Sequence, residues 1–381
     1  MRAFHSKLPD VGTTIFTVMS QYAAEHQAIN LSQGFPDFDG DGLLKERVNH
    51  YINTGLNQYA PMTGLPALRE QIALKTEQCY QRTVCADAEV TVTSGATEAL
   101  FAAIMCAVKP GDQVVVFDPA YDSYDPAIRM AGGEPIHVAL TADFAIDFAA
   151  LEAVMSERVR MIIINSPHNP SGRVLDESAM QQLQQLVVQF NCWCLSDEVY
   201  EHIIFDQQPH QSVHRFPDLA ERSFVVSSFG KTFHTTGWKV GYCIAPQAMM
   251  SEFRKVHQYV TFSTSTPMQA AIADTLAAKP ELWQDLPQFY QQKRDELRAA
   301  LAPSRLQLLP CEGTYFQLVD YSAVSDLPEV EFAKWLTREV GVAVIPISVF
   351  YQQPHEARLA RLCFAKNSAT LIEAAEKLCQ L

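Results

Sequence analysis

Long apolar runs are missing from this chain. The longest, such as Ala99 to Val108, reach about half the length that crosses a bilayer, so no membrane span is expected. Positive charge is scarce as well. The 29 lysines and arginines face 43 aspartates and glutamates, leaving a formal net charge of −14. That balance argues against nucleic acid or an anionic membrane as a partner. Cysteines are present but lack useful spacing: the nine of them include no C-x-x-C pair, which argues against a zinc site or a disulfide framework. Cys192 and Cys194 alternate beside Trp193 and read as small core residues, at home in a reducing cytoplasm. Met1 to Gly12 contain no apolar core segment, so no secretory signal is expected. No repeat and no low-complexity tract stands out. What remains is an ordinary globular composition, 381 residues of which 48% are hydrophobic, with a mean hydropathy of −0.05. That length supports a large core and two domains.

Short apolar runs alternate with helical patterns through the middle of the chain. Strands are predicted at Glu89–Thr93, Gln113–Phe117, Val159–Asn165, Cys192–Ser196 and Ser223–Phe229, with helices at Gly95–Val108, from Asp122 onward, and at Glu177–Gln189. Apolar strands separated by helices imply a mostly parallel sheet covered on both faces. Each predicted strand ends in a polar or glycine-containing loop, and ligands of such sheets sit at the carboxyl ends of the strands. After about residue 280 the texture changes. A long charged helix is predicted over Leu282–Leu301. It is followed by strands at Leu306–Pro310, Tyr315–Val319, Val342–Ile347 and Arg361–Phe364, and helices at Glu329–Val340 and Ala369–Leu378. This is an α+β pattern and a second, smaller domain.

Lys231 closes the run Ser223 to Phe229 and opens the segment Ser228-Phe-Gly-Lys231-Thr-Phe-His-Thr-Thr-Gly237-Trp-Lys239-Val-Gly241. A lysine amine becomes a covalent catalyst when burial and nearby positive charge lower its pKa. Three other readings compete. A phosphate-binding P-loop would need glycine where Val225 stands. A serine acyl-enzyme built on Ser228-x-x-Lys231 lacks its Lys-Thr-Gly companion. A solvated surface lysine is the commonest fate of the residue type.

Partners elsewhere in the sequence favour the covalent reading. Asp197 ends an apolar strand and could hold an aromatic ring nitrogen protonated, although it could also simply cap a helix. Tyr200 and Asn169 could donate to an oxygen on the same ring; the alternatives are a core tyrosine and plain turn chemistry. Ser94-Gly-Ala96-Thr97 starts a helix, where free N–H groups suit a phosphate, and Ser228 and Lys239 could add to that site. Tyr121 could stack on a planar ring. Arg361 could grip a carboxylate through two parallel hydrogen bonds, or form a surface ion pair instead. His168 reads as structural. Together the groups describe one ligand: a protonated pyridine bearing an adjacent oxygen, an aldehyde and a phosphate. That is pyridoxal 5′-phosphate, bound as an imine to Lys231.

Several motifs occur in register: Ser94-Gly-Ala-Thr97, Asn169-Pro-Ser-Gly172, Ser196-Asp-Glu-Val-Tyr200, and Ser228-Phe-Gly-Lys231 followed by Gly237-Trp-Lys-Val-Gly241. With them the chain resembles fold-type I aminotransferases of class I/II along essentially its whole length. Asn30-Leu-Ser-Gln-Gly-Phe-Pro-Asp-Phe38, Asn57-Gln-Tyr-Ala-Pro61 and Cys311-Glu-Gly-Thr-Tyr-Phe316 bring it closest to the kynurenine/methionine branch and its methionine-type bacterial members. The resemblance implies a seven-stranded, mostly parallel large domain over residues 41–280. A connecting helix and small α+β domain would cover 281–381, and an N-terminal arm with a small-domain segment 1–40. Lys231 would bind the cofactor and shuttle the proton, and Asp197 would pair with the ring nitrogen. Tyr200 and Asn169 would bond the ring oxygen, and Tyr121 would stack. Ala96, Thr97, Ser228 and Lys239 would hold the phosphate, joined by Tyr59 of a second copy in a homodimer. Arg361, Asn169 and the Gly34 backbone would hold the substrate carboxylate. Phe16, and Phe262 from the partner, would line the side-chain pocket.

The implied reaction moves an amino group from an apolar, sulfur-containing or aromatic amino acid to a 2-oxo acid. A carbon–sulfur β-lyase and a non-catalytic cofactor-binding regulator are the alternatives. Three positions depart from the family pattern: Lys239 for a frequent arginine, Gly230 for a frequent serine, and Pro346-Ile-Ser348 for Pro-Gly-Ser.

Overall fold

Near-continuous apolar runs flanked by helices build a covered sheet, and the computed structural model describes residues 5–381 of the chain. The first four residues, part of the arm expected over 1–40, lie outside the described residues. In chain order the strands are β1 Ile29–Asn30, β2 Val90–Thr93, β3 Gln113–Asp118, β4 Glu134–Ala139, β5 Val159–Asn165, β6 Trp193–Asp197, β7 Ser223–Ser228, β8 Gly241–Ile244, β9 Gln307–Leu308, β10 Phe316–Asp320, β11 Val342–Ala343, β12 Ile345–Pro346 and β13 Leu359–Cys363. The large sheet has seven strands in the order β2-β8-β7-β6-β5-β3-β4. β8 runs antiparallel to both neighbours and the other pairings are parallel.

Alternating side chains feed two cores. Val114, Met161 and Leu195 pack with the helices Gly95–Ala107 and Gln247–Val260 on one face. Val115, Ile162 and Cys194 pack with the helix Glu177–Gln189 on the other. Both faces are apolar, which is why β5 and β6 read as nearly continuous apolar runs. Asn165 pairs with Asp197, and Asp197 with Val226, so β5, β6 and β7 end at one edge.

A second sheet, β12-β13-β10-β9, lies in the C-terminal part, and β1 pairs with β11. One apolar cluster joins Met19 and Leu31 to Tyr290, Leu318 and Leu371, and takes in Tyr200, Ile203 and Phe205. The first forty residues thus contribute to the same core as the last hundred.

Several boundaries differ from expectation. The strand predicted to Phe229 ends at Ser228, because Phe229 begins a one-turn helix, Phe229–Thr232. The helix predicted over Leu282–Leu301 breaks into Glu281–Gln284 and Leu286–Leu301, where Pro287 sits in a first turn that needs no donor from it. Val342–Ile347 is two strands in two sheets. At the departure Pro346-Ile-Ser348, the backbone N–H of Ile347 donates to Glu329 Oε2 at 2.7 Å, and Glu329 Oε1 accepts from Leu359 at 3.0 Å. The buried Glu329 carboxylate ties that loop to β13. Among the described residues no helix is long and apolar enough to cross a membrane, no group of side chains is arranged to hold a metal ion, and all nine cysteines are free.

Candidate active site

β7 delivers Ser228 to the common edge, and the turn after it carries Lys231. The Lys231 amine donates to Gly34 O at 3.1 Å and to Tyr315 Oη at 2.8 Å. Burial pushes this amine down to about 8, and repulsion from Arg361 and Lys239 acts in the same direction. An ammonium that gives up its proton this easily leaves an amine usable as nucleophile and base near neutral pH.

Asp197 ends β6 with its side chain buried. Its Oδ2 accepts from Tyr124 Oη at 2.7 Å and its Oδ1 from the Val199 N–H at 3.3 Å. Burial raises its pKa to about 6 in spite of those two bonds. No helix follows Asp197 within the next turn, so the helix-cap reading falls away. A desolvated carboxylate in a cleft calls for a cation or an N–H donor.

The helix Gly95–Ala107 starts at the same space, with Gly95, Ala96 and Thr97 in its lining, and free N–H groups at a helix start suit an anion. Gly95 has φ +79°, and a Cβ there would lie 3.2 Å from Lys239 Cε. A Cβ on Gly241 would come within 2.9 Å of Ala96 N. The absence of side chains at these two positions lets β8 and Lys239 close on the helix start and form an anion cradle with Ser228 beside it.

Arg361 occupies β13 and is only 1% exposed, which removes the surface ion-pair reading. Its Nη1 donates to Asn169 Oδ1 at 2.6 Å and its Nη2 to Ser32 O at 3.1 Å, while its buried Nε has no partner. The guanidinium lies 3.8 Å from the centre of the Phe316 ring and 5.2 Å from that of Phe16. An unsatisfied donor on a buried cation is costly, and Arg361 lines the cavity, where a guanidinium could receive a carboxylate.

All but two of the expected site residues line one cavity of about 310 Å³: Phe16, Gly34, Ala96, Thr97, Tyr121, Asn169, Asp197, Tyr200, Ser228, Lys231, Lys239 and Arg361. Tyr59 and Phe262 lie elsewhere on this chain. They are 84% and 42% exposed, with ring centres 5.4 Å apart. His168 is outside the cavity lining and bonded to Ser171 Oγ and Pro119 O, a structural role as expected.

Sequence reasoning gives no role to Asn165, Gln33 and Phe316, which also line the cavity, nor to Tyr124 and Tyr315. Phe316 and Tyr315 stand in a family motif, but only the packing reveals what their side chains reach. The donor set fits pyridoxal 5′-phosphate: an amine for its aldehyde, a buried carboxylate for its ring nitrogen, and a cradle of N–H groups with a cation for its phosphate.

The family model described as aminotransferase class I and II matches residues 26–378. The chain is 58% identical over 377 residues to the methionine aminotransferase of Escherichia coli (strain K12), covering 99% of this chain and 98% of that one. It is 32% identical over 391 residues to the human kynurenine–oxoglutarate transaminase 1, covering 93% of each. Among solved structures it is similar to YbdL from Escherichia coli, reported with a methionine aminotransferase function, at a TM-score of 0.98 and 57% identity over 100% of both chains.

Proposed function

The chain belongs to the class I and II aminotransferases, and from that premise we propose that it moves the amino group of methionine, and of aromatic amino acids, to a 2-oxo acid in two ping-pong half-reactions. It is a pyridoxal-phosphate-dependent transaminase of fold type I. The substrate preference rests on the make-up of the cavity. Its lining cations are Lys231, Lys239 and Arg361. The first two serve the cofactor, leaving one arginine for one carboxylate. The wall beside that arginine is aromatic, Phe16 and Phe316, and a thioether packs well against aromatic rings. The similar proteins act in keeping with this, one named a methionine aminotransferase and one a kynurenine–oxoglutarate transaminase.

When bound, pyridoxal 5′-phosphate supplies an aldehyde that takes up the amino group and a ring that draws electrons from the Cα–H bond. The chain's own residues do the rest. Lys231 Nζ would bind the cofactor's aldehyde carbon and would hold and move the proton of the substrate Cα. Asp197 would keep the ring nitrogen protonated. Tyr200 and Asn169 would donate to the ring oxygen, and Tyr121 would cover a ring face. Ala96, Thr97, Ser228 and Lys239 would hold the phosphate. Arg361 and the Gly34 backbone fix the substrate carboxylate, which sets the direction of the Cα–H bond. Tyr59 and Phe262 reach the site of a second copy in a homodimer, since on their own chain they face solvent. We place the enzyme in the cytoplasm, where nine free thiols stay reduced.

Stopped-flow absorbance of the holoenzyme against a panel of amino acids tests the reading. Methionine, phenylalanine and tyrosine should react on the order of a hundredfold faster than aspartate. Aspartate or glutamate reacting fastest would overturn the substrate class. Steady release of pyruvate and ammonia from cysteine conjugates without an oxo acid, faster than any transfer, would make the enzyme a lyase. Lys231→Ala should abolish the half-reaction, and a rate within about tenfold of wild type would refute its role.

A further inference from the structure

Behind the cavity lies a buried charge pair that the reaction does not use. Tyr200 lines the cavity, and the next residue, Glu201, is absent from that lining. The Glu201 carboxylate sits 2.6 Å from Lys75 Nζ, on the helix Pro66–Tyr80, with both side chains 5% exposed. Its Oε1 also accepts from Ser227 Oγ at 2.6 Å and Tyr242 Oη at 2.8 Å, and its Oε2 from Tyr80 Oη at 2.5 Å. Lys75 Nζ is 3.0 Å from His202 Nε2. Burial holds that ring neutral, down to about 3, so its nitrogen accepts from the ammonium.

Each strand or loop contact stands one residue from a group assigned to the cofactor or from one that backs such a group. Ser227 precedes Ser228, and Tyr242 follows Gly241, which packs on Gly95 and Ala96. Ser227 and Tyr242 are register partners, as are Ser228 and Gly241. Neighbouring strand positions face opposite sides of a sheet. Hence Glu201 gathers Ser227 and Tyr242 on one side, while Ser228 lines the cavity and Gly241 backs Gly95 and Ala96, which line it. A buried ion pair is a weak source of stability, since apolar replacements often serve equally well. Its connections give it another use.

We propose that Glu201, clamped by Lys75, is a positioning residue for the cofactor cup. Its single carboxylate locks the loop carrying Tyr200, the strand carrying Ser228 and the strand that backs Ala96 into one rigid wall. The proposal rests on the reading that this cup holds pyridoxal 5′-phosphate.

Three variants test it. Ser227→Ala/Tyr242→Phe keeps the ion pair and cuts two bonds to the strands. Glu201→Gln removes the charge on one side. Lys75→Met/Glu201→Gln removes both charges, so that no unpaired ion is left buried. The readouts are the dissociation constant for pyridoxal 5′-phosphate on reconstituted apoenzyme, the visible circular dichroism of bound cofactor, kcat and KM, and the apoenzyme melting temperature. Each folded variant should bind the cofactor about tenfold more weakly, with a diminished dichroic band and a fall in kcat larger than the change in KM. The Ser227→Ala/Tyr242→Phe apoenzyme should melt close to wild type. Affinity within about twofold of wild type in the folded variants overturns the proposal. So does a loss of affinity that merely tracks the apoenzyme melting temperature across the set. Borohydride reduction of the wild-type holoenzyme separates the two levels: no label on Lys231 sinks the underlying reading, whatever the variants do.

Discussion

Asp197 is the residue whose environment makes the sharpest claim. Its folded pKa is raised to about 6 by burial, above the unfolded carboxylate value. The folded apoenzyme therefore binds this proton more tightly than the unfolded chain does. The resulting stabilisation is complete below about pH 4 and is lost as pH rises through about 6. At neutral pH the apoenzyme carries a poorly solvated carboxylate that a cofactor N–H relieves. Asp197→Asn should stabilise the apoenzyme at pH 7.5 by about 3 kcal/mol, with the difference fading toward pH 4. The same variant should lose most of its hold on the cofactor. A calorimetric scan of both forms checks this, and an apoenzyme destabilised at pH 7.5 counts against it. Lys231 gives a second residue-scale prediction. With its amine held at about 8, the rate of cofactor capture by apoenzyme should climb with pH and level off above that value. A flat profile from about pH 6 to 9 would contradict the assignment.

Residue types are the most legible part of this site. Lysine, aspartate and asparagine stand at or near strand ends and arginine within a strand, and the sequence alone names their chemistry. Tyr124 and Tyr315 are not legible in the same way. Each acts through a hydroxyl that reaches across the fold, Tyr124 to Asp197 and Tyr315 to Lys231. Nothing local distinguishes such a tyrosine from a core one. Lys75 and Glu201 are equally hidden, because a charge on a helix face reads as solvated until its partner is known to lie 126 positions away.

At the scale of elements, most strands buried on both faces announce themselves, but β4 and β8 do not. β4, Glu134–Ala139, is an edge strand with polar and half-buried positions, and its pattern resembles a loop. β8, Gly241–Ile244, reads in the sequence only as the tail of the lysine motif. Its opening glycine has a tertiary reason: a Cβ there would meet Gly95 C and Ser227 O at 2.8 Å and Ala96 N at 2.9 Å. These are backbone atoms that cannot step aside. Gly241→Ala should cost about 1–3 kcal/mol in overpacking and deplete bound cofactor in the purified protein. An unchanged melting temperature with full cofactor content would show the cradle to be looser than these distances imply. Val342–Ile347 reads as one strand because consecutive apolar residues do not say which sheet each half joins. That choice is made by β1, far away in the chain, and by β13, one loop further on.

At the scale of the molecule, the cavity lies where the large sheet meets the cluster built from both chain ends. Gly34 and Phe16 come from the N-terminal part, Arg361 from the C-terminal part, and Lys231 from the middle. Tyr59 and Phe262, exposed on this chain, are assigned to the cavity of a second copy. Mixing Lys231→Ala with Tyr59→Ala protein under conditions of subunit exchange tests that assignment. In half of the dimers, one site then carries both lesions and the other carries none. Activity should recover to about a quarter of wild type through symmetry alone. Failure to recover, with exchange verified, would mean that each chain completes its own site.

The stacking of Arg361 between Phe316 and Phe16 has an evolutionary consequence. The rings that shape the donor's side-chain space are the same rings that steady the guanidinium. Trimming Phe16 to admit a bulkier donor should therefore slacken the grip on every donor alike, with KM rising across the board before any new preference emerges. Lineages exploring new amino donors would be expected to keep an aromatic or long aliphatic group there and to diversify along the far rim instead.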